Sequence, residues 1–156
     1  MRIRNWRSII LISLLSAGQA GAAPPAAPSA KQLSLAGLKI ADSLTVVRKK
    51  LGKPESTTGA PGDHDYILFY PGLRIEMIEP GQVLTLESTS PRYCTPSGVC
   101  PGQPLDEARK HWGQGEIYDD DSSGTWHYSV DEDACFLQLV PDASQKLIGS
   151  VAFGCP

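Results

Sequence analysis

The sequence is short of the groups on which most catalysis depends. Among 156 residues there are three histidines, and no G-x-S-x-G turn, H-E-x-x-H helix or glycine-rich phosphate loop occurs. The constellations that present a nucleophile, a metal-bound water or a nucleotide are therefore missing. No enzyme is expected, and no catalytic residue, cofactor or metal ligand is assigned. An excess of positive charge is lacking too: 14 Lys and Arg stand against 17 Asp and Glu. Phosphate contacts need clustered cations, so no nucleic-acid partner is expected. No apolar run reaches the ~20 residues that cross a bilayer, so no membrane span is expected.

What is present is a globular composition, 41% hydrophobic and 20% charged, of a length for one ordinary domain or two very small ones. The chain opens with Arg2, Arg4 and Arg7, continues with an apolar stretch over residues 9–15, and then turns to small residues through Ala22. That order is the layout of a secretory signal peptide, assigned to residues 1–22. No cysteine lies near the cut, so no lipid attachment is expected, and the mature chain is placed in the periplasm or outside the cell. Residues 23–36 read as a Pro/Ala-rich linker. Without the three leader arginines, 11 basic residues face 17 acidic ones, a net charge of −6.

Four cysteines remain: Cys94, Cys100, Cys135 and Cys155. An even number in an exported chain reads as two disulfides, with three possible connectivities. Cys94–Cys100 with Cys135–Cys155 is preferred. Cys135, Leu137 and Leu139 alternate onto one strand face, as do Val151, Phe153 and Cys155, and antiparallel pairing of those strands would bring the thiols together.

An internal similarity at an offset of 61 aligns Leu44 with Leu105, Val47 with Ala108, Arg48 and Lys49 with Arg109 and Lys110, Leu51 with Trp112, and Gly52 with Gly113. Each stretch has apolar residues at i, i+3 and i+7, a helical stripe. Asp42 or Ser43 suits the first N-cap, Pro104 the first helical position of the second, and Gly52 and Gly113 the stops. Three strand-like runs follow each helix: Tyr66–Tyr70, Leu73–Ile78 and residues 82–87, then Trp126–Val130, residues 134–140 and residues 146–153. The expected fold is α+β: two tandem helix–β–β–β repeats, over residues 37–91 and 92–156, forming an antiparallel sheet with short helices packed on one face.

The two helix segments at residues 44–52 and 105–113, with the strands after the first, resemble the SmpA/OmlA (BamE-like) module. Two such modules in tandem are similar in architecture to the β-lactamase-inhibitor-protein family. The resemblance implies an envelope protein that acts by protein contact, in assembly or as an inhibitor, and carries no contact residue over by position.

The remaining polar clusters read as structural. His64, between Asp63 and Asp65, is read as a solvated turn, and His111 as a cation at a helix end. Asp119, Asp120 and Asp121, followed by Ser122, Ser123 and Gly124, echo the start of a calcium loop. The twelfth position is Val130, so the closing carboxylate is missing. Strand alternation is more informative. With Tyr66, Leu68, Tyr70, Trp126, Tyr128 and Val130 facing the helices, the opposite face carries Ile67, Phe69, Arg74, Glu76, His127, Phe136 and Gln138. Apolar groups among polar ones on an open sheet face make a docking surface for another protein. The leading function is an inhibitor or immunity-type protein bound to an extracytoplasmic enzyme. The alternatives are an envelope assembly or scaffolding factor and a small-ligand or calcium-binding periplasmic protein.

Overall fold

The structure is a computed structural model that describes residues 27–29, 33–63, 66–118, 122–130 and 135–155. Among the described residues nine strands and two helices follow one another as β1 (Ser34–Leu35), β2 (Leu38–Lys39), α1 (Leu44–Leu51), β3 (Ser56–Thr58), β4 (Tyr66–Tyr70), β5 (Leu73–Ile78), β6 (Gln82–Ser88), α2 (Leu105–Trp112), β7 (Trp126–Val130), β8 (Cys135–Pro141) and β9 (Ile148–Gly154).

The strands after β2 join into one seven-stranded sheet, in the order β3-β4-β5-β6-β9-β8-β7, and every neighbouring pair is antiparallel. This overturns the expected fold of two tandem helix–β–β–β repeats. β6 pairs with β9 at four positions, from Thr85↔Gly154 to Ser88↔Val151, so the strand runs share one continuous sheet instead of forming separate modules. β3 lengthens that sheet at one edge, and β1 and β2 form a second, two-stranded sheet. The two helices have eight residues each, so strands dominate the architecture.

The helices are short because their signals are local. Ser43 Oγ accepts from the Val46 amide at 3.4 Å, and Gly52 stops α1 at φ 79° while its N–H donates to Arg48 O. Gly113 stops α2 in the same way at φ 76°, with its N–H on Arg109 O. A positive φ costs glycine little and a β-carbon much. Pro104 lies one residue before α2 and offers no side-chain cap.

Helices this short need outside support. The residues ahead of α1 supply it through Ala41 N–H to Val83 O (2.8 Å), Val83 N–H to Asp42 O (2.9 Å) and Leu44 N–H to Gly81 O (3.0 Å). Ahead of α2, Gly102 N–H donates to Ile148 O (2.7 Å), Ile148 N–H to Gln103 O (2.8 Å) and Leu105 N–H to Lys146 O (3.0 Å). Each helix is thus stitched to the start of a central strand, β6 or β9.

One buried cluster collects the helix-side residues of the sheet, among them Tyr66, Leu68, Ile75, Leu86, Leu137, Trp126 and the fully buried Phe153, with Val47 of α1 and Ala108 and Trp112 of α2. Leu33, Leu35 and Leu38 belong to the same cluster. The β1–β2 hairpin therefore packs on the helix side and leaves the opposite face of the sheet uncovered by those leucines. Burial of this one face explains the strict alternation of β4 and β5, in which every second residue is buried.

Both disulfides are formed as expected, Cys94–Cys100 within the connection before α2 and Cys135–Cys155 across β8 and the end of β9. The leader at residues 1–22, His64, and Asp119, Asp120 and Asp121 lie outside the described residues. Among the described residues no group of three or more His, Cys, Asp or Glu could hold a metal ion, and no helix is long and apolar enough to cross a membrane.

Candidate functional site

The register across the sheet lines up the open face in two rows. One runs Thr58, Ile67, Glu76, Thr85, Gly154, Phe136, Ser129, and the other Ser56, Phe69, Arg74, Glu87, Ala152, Gln138, His127. All seven residues assigned to this face from the sequence, Ile67, Phe69, Arg74, Glu76, His127, Phe136 and Gln138, stand in these rows, and all seven are half-buried.

The middle of the face is charged and internally paired. Arg74 Nη1 lies 3.6 Å from Glu76 Oε2 and 3.9 Å from Glu87 Oε2. Two carboxylates on one guanidinium leave a net charge of −1. Pairs this exposed contribute on the order of 0–1 kcal/mol each, so the triad acts more on orientation and partner choice than on stability. Glu87 was not singled out from the sequence. It reaches the triad because β5–β6 pairing sets it opposite Arg74.

Beside the triad is a smooth place. A β-carbon at Gly154 would lie 2.9 Å from the tip of the Phe136 ring and 3.1 Å from Leu84 O. The ring therefore lies over bare backbone of the central strand. Glycine there is a packing requirement, since a side chain would stand where the ring rests.

At the β7 edge, His127 Nδ1 is 3.3 Å from Gln138 Nε2, and the His127 ring packs on Tyr118 with centroids 4.4 Å apart. Tyr118 is 51% exposed and its neighbour Ile117 47% exposed, which makes them the most exposed large hydrophobic residues described. They enlarge the apolar part of the face, yet no periodicity marks them in the sequence. They are brought there because Glu116 exchanges both backbone hydrogen bonds with His127, at 2.9 and 2.8 Å.

Two shallow hollows border the face, one beside the triad and one at the β7 edge. One, of about 210 Å³, is lined by Phe69, Arg74 and Glu87 among others, and the other, of about 260 Å³, by Glu116, His127 and Ser129 together with Ala27. Both fall below the ~300–1,000 Å³ of small-molecule sites and suit single side chains of a larger partner.

Behind the face, burial pushes the Tyr128 phenol up to about 12, against the opposing pull of a Gly115 backbone hydrogen bond and the Arg109 charge. Tyr70 is raised by the same cause. Both stay protonated at neutral pH and serve as hydrogen-bond donors.

No family model matches the chain, and no curated protein matches it. Among solved structures it is similar to a DUF4309 family protein from Bacillus subtilis, with a TM-score of 0.51 and 14% identity over 77% of this chain and 83% of that one. It is also similar to a cysteine-rich secretory protein from Staphylococcus aureus, with a TM-score of 0.56 and 17% identity over 85% of this chain and 48% of that one. A third is an extracellular protein containing an SCP domain from Bacillus anthracis, with a TM-score of 0.54 and 10% identity over 88% of this chain and 49% of that one. The chain spans about half the length of the last two. At these identities the likeness is one of fold alone.

Proposed function

We propose that this chain is an exported protein-binding module that docks the open face of its sheet onto another protein, its leading role being that of an inhibitor or immunity-type protein on an extracytoplasmic enzyme. The observation that carries the reading is the pair of rows, in which Ile67, Phe69 and Phe136 flank the Arg74–Glu76–Glu87 triad on a face without helices. An apolar set around a charged centre is the composition of a docking patch. The hollows beside the triad and at the β7 edge are of side-chain size.

Export is supported by the basic, apolar, then small order of the first residues and by two formed disulfides, which persist in oxidising compartments. The BamE-like proteins that the helix segments resemble act by protein contact, the same class of action. The net negative triad favours a partner that offers a cation opposite it.

The test is capture of partners by the oxidised mature chain, followed by affinity measurement. Phe69→Ala and Phe136→Ala are each expected to weaken the captured complex about tenfold or more while the variants stay folded. Affinity unchanged in both would remove this face as the binding site.

A further inference from the structure

The sheet ends differently at its two edges. At β7, the backbone N–H and C=O of His127 are both taken by Glu116. At β3, no described residue pairs with the outer side of the strand, and Ser56, Thr57 and Thr58 are all exposed. Beside that free edge lies a cavity of about 840 Å³. Its walls include Ser56 and Thr57 of β3, Arg48 at the end of α1, Lys53, Pro61 and Tyr66. This volume falls within the ~300–1,000 Å³ of ligand sites, unlike the hollows on the open face.

We propose that this cleft takes an extended, carboxylate-bearing peptide segment of another protein, added as an eighth strand to the free edge at β3. The unpaired backbone of an edge strand is a template for main-chain hydrogen bonds, and the cleft beside it supplies the selectivity that such bonds lack. Two cations, Arg48 and Lys53, face one carboxylate, Glu55. Among the described residues neither cation makes an ion pair, whereas Lys50, Arg74, Arg109 and Lys110 all do. The helix dipole accounts for Arg48, which lies in the last turn of α1. It does not account for Lys53, which lies beyond the Gly52 stop. The Tyr66 hydroxyl accepts from Arg48 Nη2 at 3.4 Å. It thereby aims the guanidinium at the cleft and keeps its own proton available to an incoming carboxylate.

The experiment titrates pools of random N-acetylated hexapeptides, with one position fixed as aspartate, lysine or alanine, into the full oxidised chain. Backbone amide shifts report the site. The aspartate pool is expected to bind most tightly, with shifts confined to residues 48–61 and to Tyr66 with its neighbours. Arg48→Gln and Lys53→Gln are each expected to weaken it about tenfold. Lys49→Gln, an equal charge loss outside the cleft, should leave affinity unchanged, as should Phe136→Ala on the open face, which separates this site from the docking reading above. A backbone N-methylated aspartate pool should not bind. Equal binding of the N-methylated pool, or of succinate alone, would overturn strand addition in favour of a pocket for small anions. Absence of shifts at millimolar peptide, or equal binding of the lysine pool, would overturn the proposal outright.

Discussion

The Tyr128 hydroxyl donates to the Gly113 carbonyl at 3.0 Å, just past the end of α2. The same contact recurs at α1, where the Tyr70 hydroxyl donates to Gly52 O at 3.1 Å. In both places a strand tyrosine satisfies a carbonyl at the helix stop, where no intrahelical donor exists. The bond fastens the last turn to the sheet, so each helix is held at both ends by groups outside itself.

Tyr128→Phe removes this donor and leaves a carbonyl near buried surface unsatisfied. The expected loss is about 1–2 kcal/mol of unfolding free energy, read from urea titrations. Because the folded phenol titrates at about 12 and the free one at 10.0, the folded state holds a proton that the unfolded state loses between those values. Stability from this group is thus full below pH 10 and falls as pH rises towards 12. A phenolate absorbance titration should show one fewer late-titrating tyrosine in the variant than in the parent, since Tyr70 is raised as well.

The two disulfides close loops of different length, with sequence separations of 20 for Cys135–Cys155 and 6 for Cys94–Cys100. Chain-entropy arguments give about 3 kcal/mol for the longer loop and about 2 for the shorter. The double variant Cys135→Ala/Cys155→Ala should therefore melt at a lower temperature than Cys94→Ala/Cys100→Ala. The reverse order in calorimetry would mean that the connection before α2 depends on its link for more than loop entropy.

Gly154→Ala places a methyl 2.9 Å from the Phe136 ring and 3.1 Å from Leu84 O. The ring can swing aside, but the carbonyl belongs to β6 and cannot. A cost of about 1–3 kcal/mol is expected, with Phe136 displaced on the open face. Stability together with the aromatic proton shifts of Phe136 checks both halves.

Gly115→Ala would set its β-carbon 2.7 Å from Trp126 Cβ and 3.1 Å from the Tyr128 ring. Its main effect is expected at the neighbouring residue, since Glu116 could no longer reach His127. Amide hydrogen exchange at His127 should accelerate at least tenfold, well beyond the change at Leu137 in the interior of the sheet.

The strands with strong alternation were legible because burial of one face writes itself directly into residue order. Tyr66–Tyr70, Leu73–Ile78 and Trp126–Val130 occupy the spans expected of them. The same alternation led to the preferred disulfide, with Cys135 at the start of β8 and Cys155 one residue past the end of its partner β9. It also placed the seven candidate residues on one face. β3 was not legible, because Ser56, Thr57 and Thr58 are exposed and no core demands an apolar residue among them. Their strand exists through pairing with Leu68 and its neighbours, information carried by another part of the chain. The tandem reading failed for a related reason. Local helix signals repeat at Gly52 and Gly113, but whether strand runs stay apart or merge is decided by long-range pairing such as Leu86 with Phe153. Tyr118 shows the same limit at the site, since its place beside His127 follows from two backbone bonds made by Glu116.

The unequal edges of the sheet also set how copies of this protein can associate. A subunit with two free strand edges can act as a link and extend a fibre without end. Here the middle of β7 is occupied by the chain's own Glu116. Two copies meeting edge to edge at β3 would form a symmetric pair, with the outward N–H and C=O of His127 at each outer end already taken by Glu116. Strand pairing between copies is therefore favoured at β3 over β7, and an arrangement that uses β3 on both sides closes on itself as a pair instead of growing into a fibre.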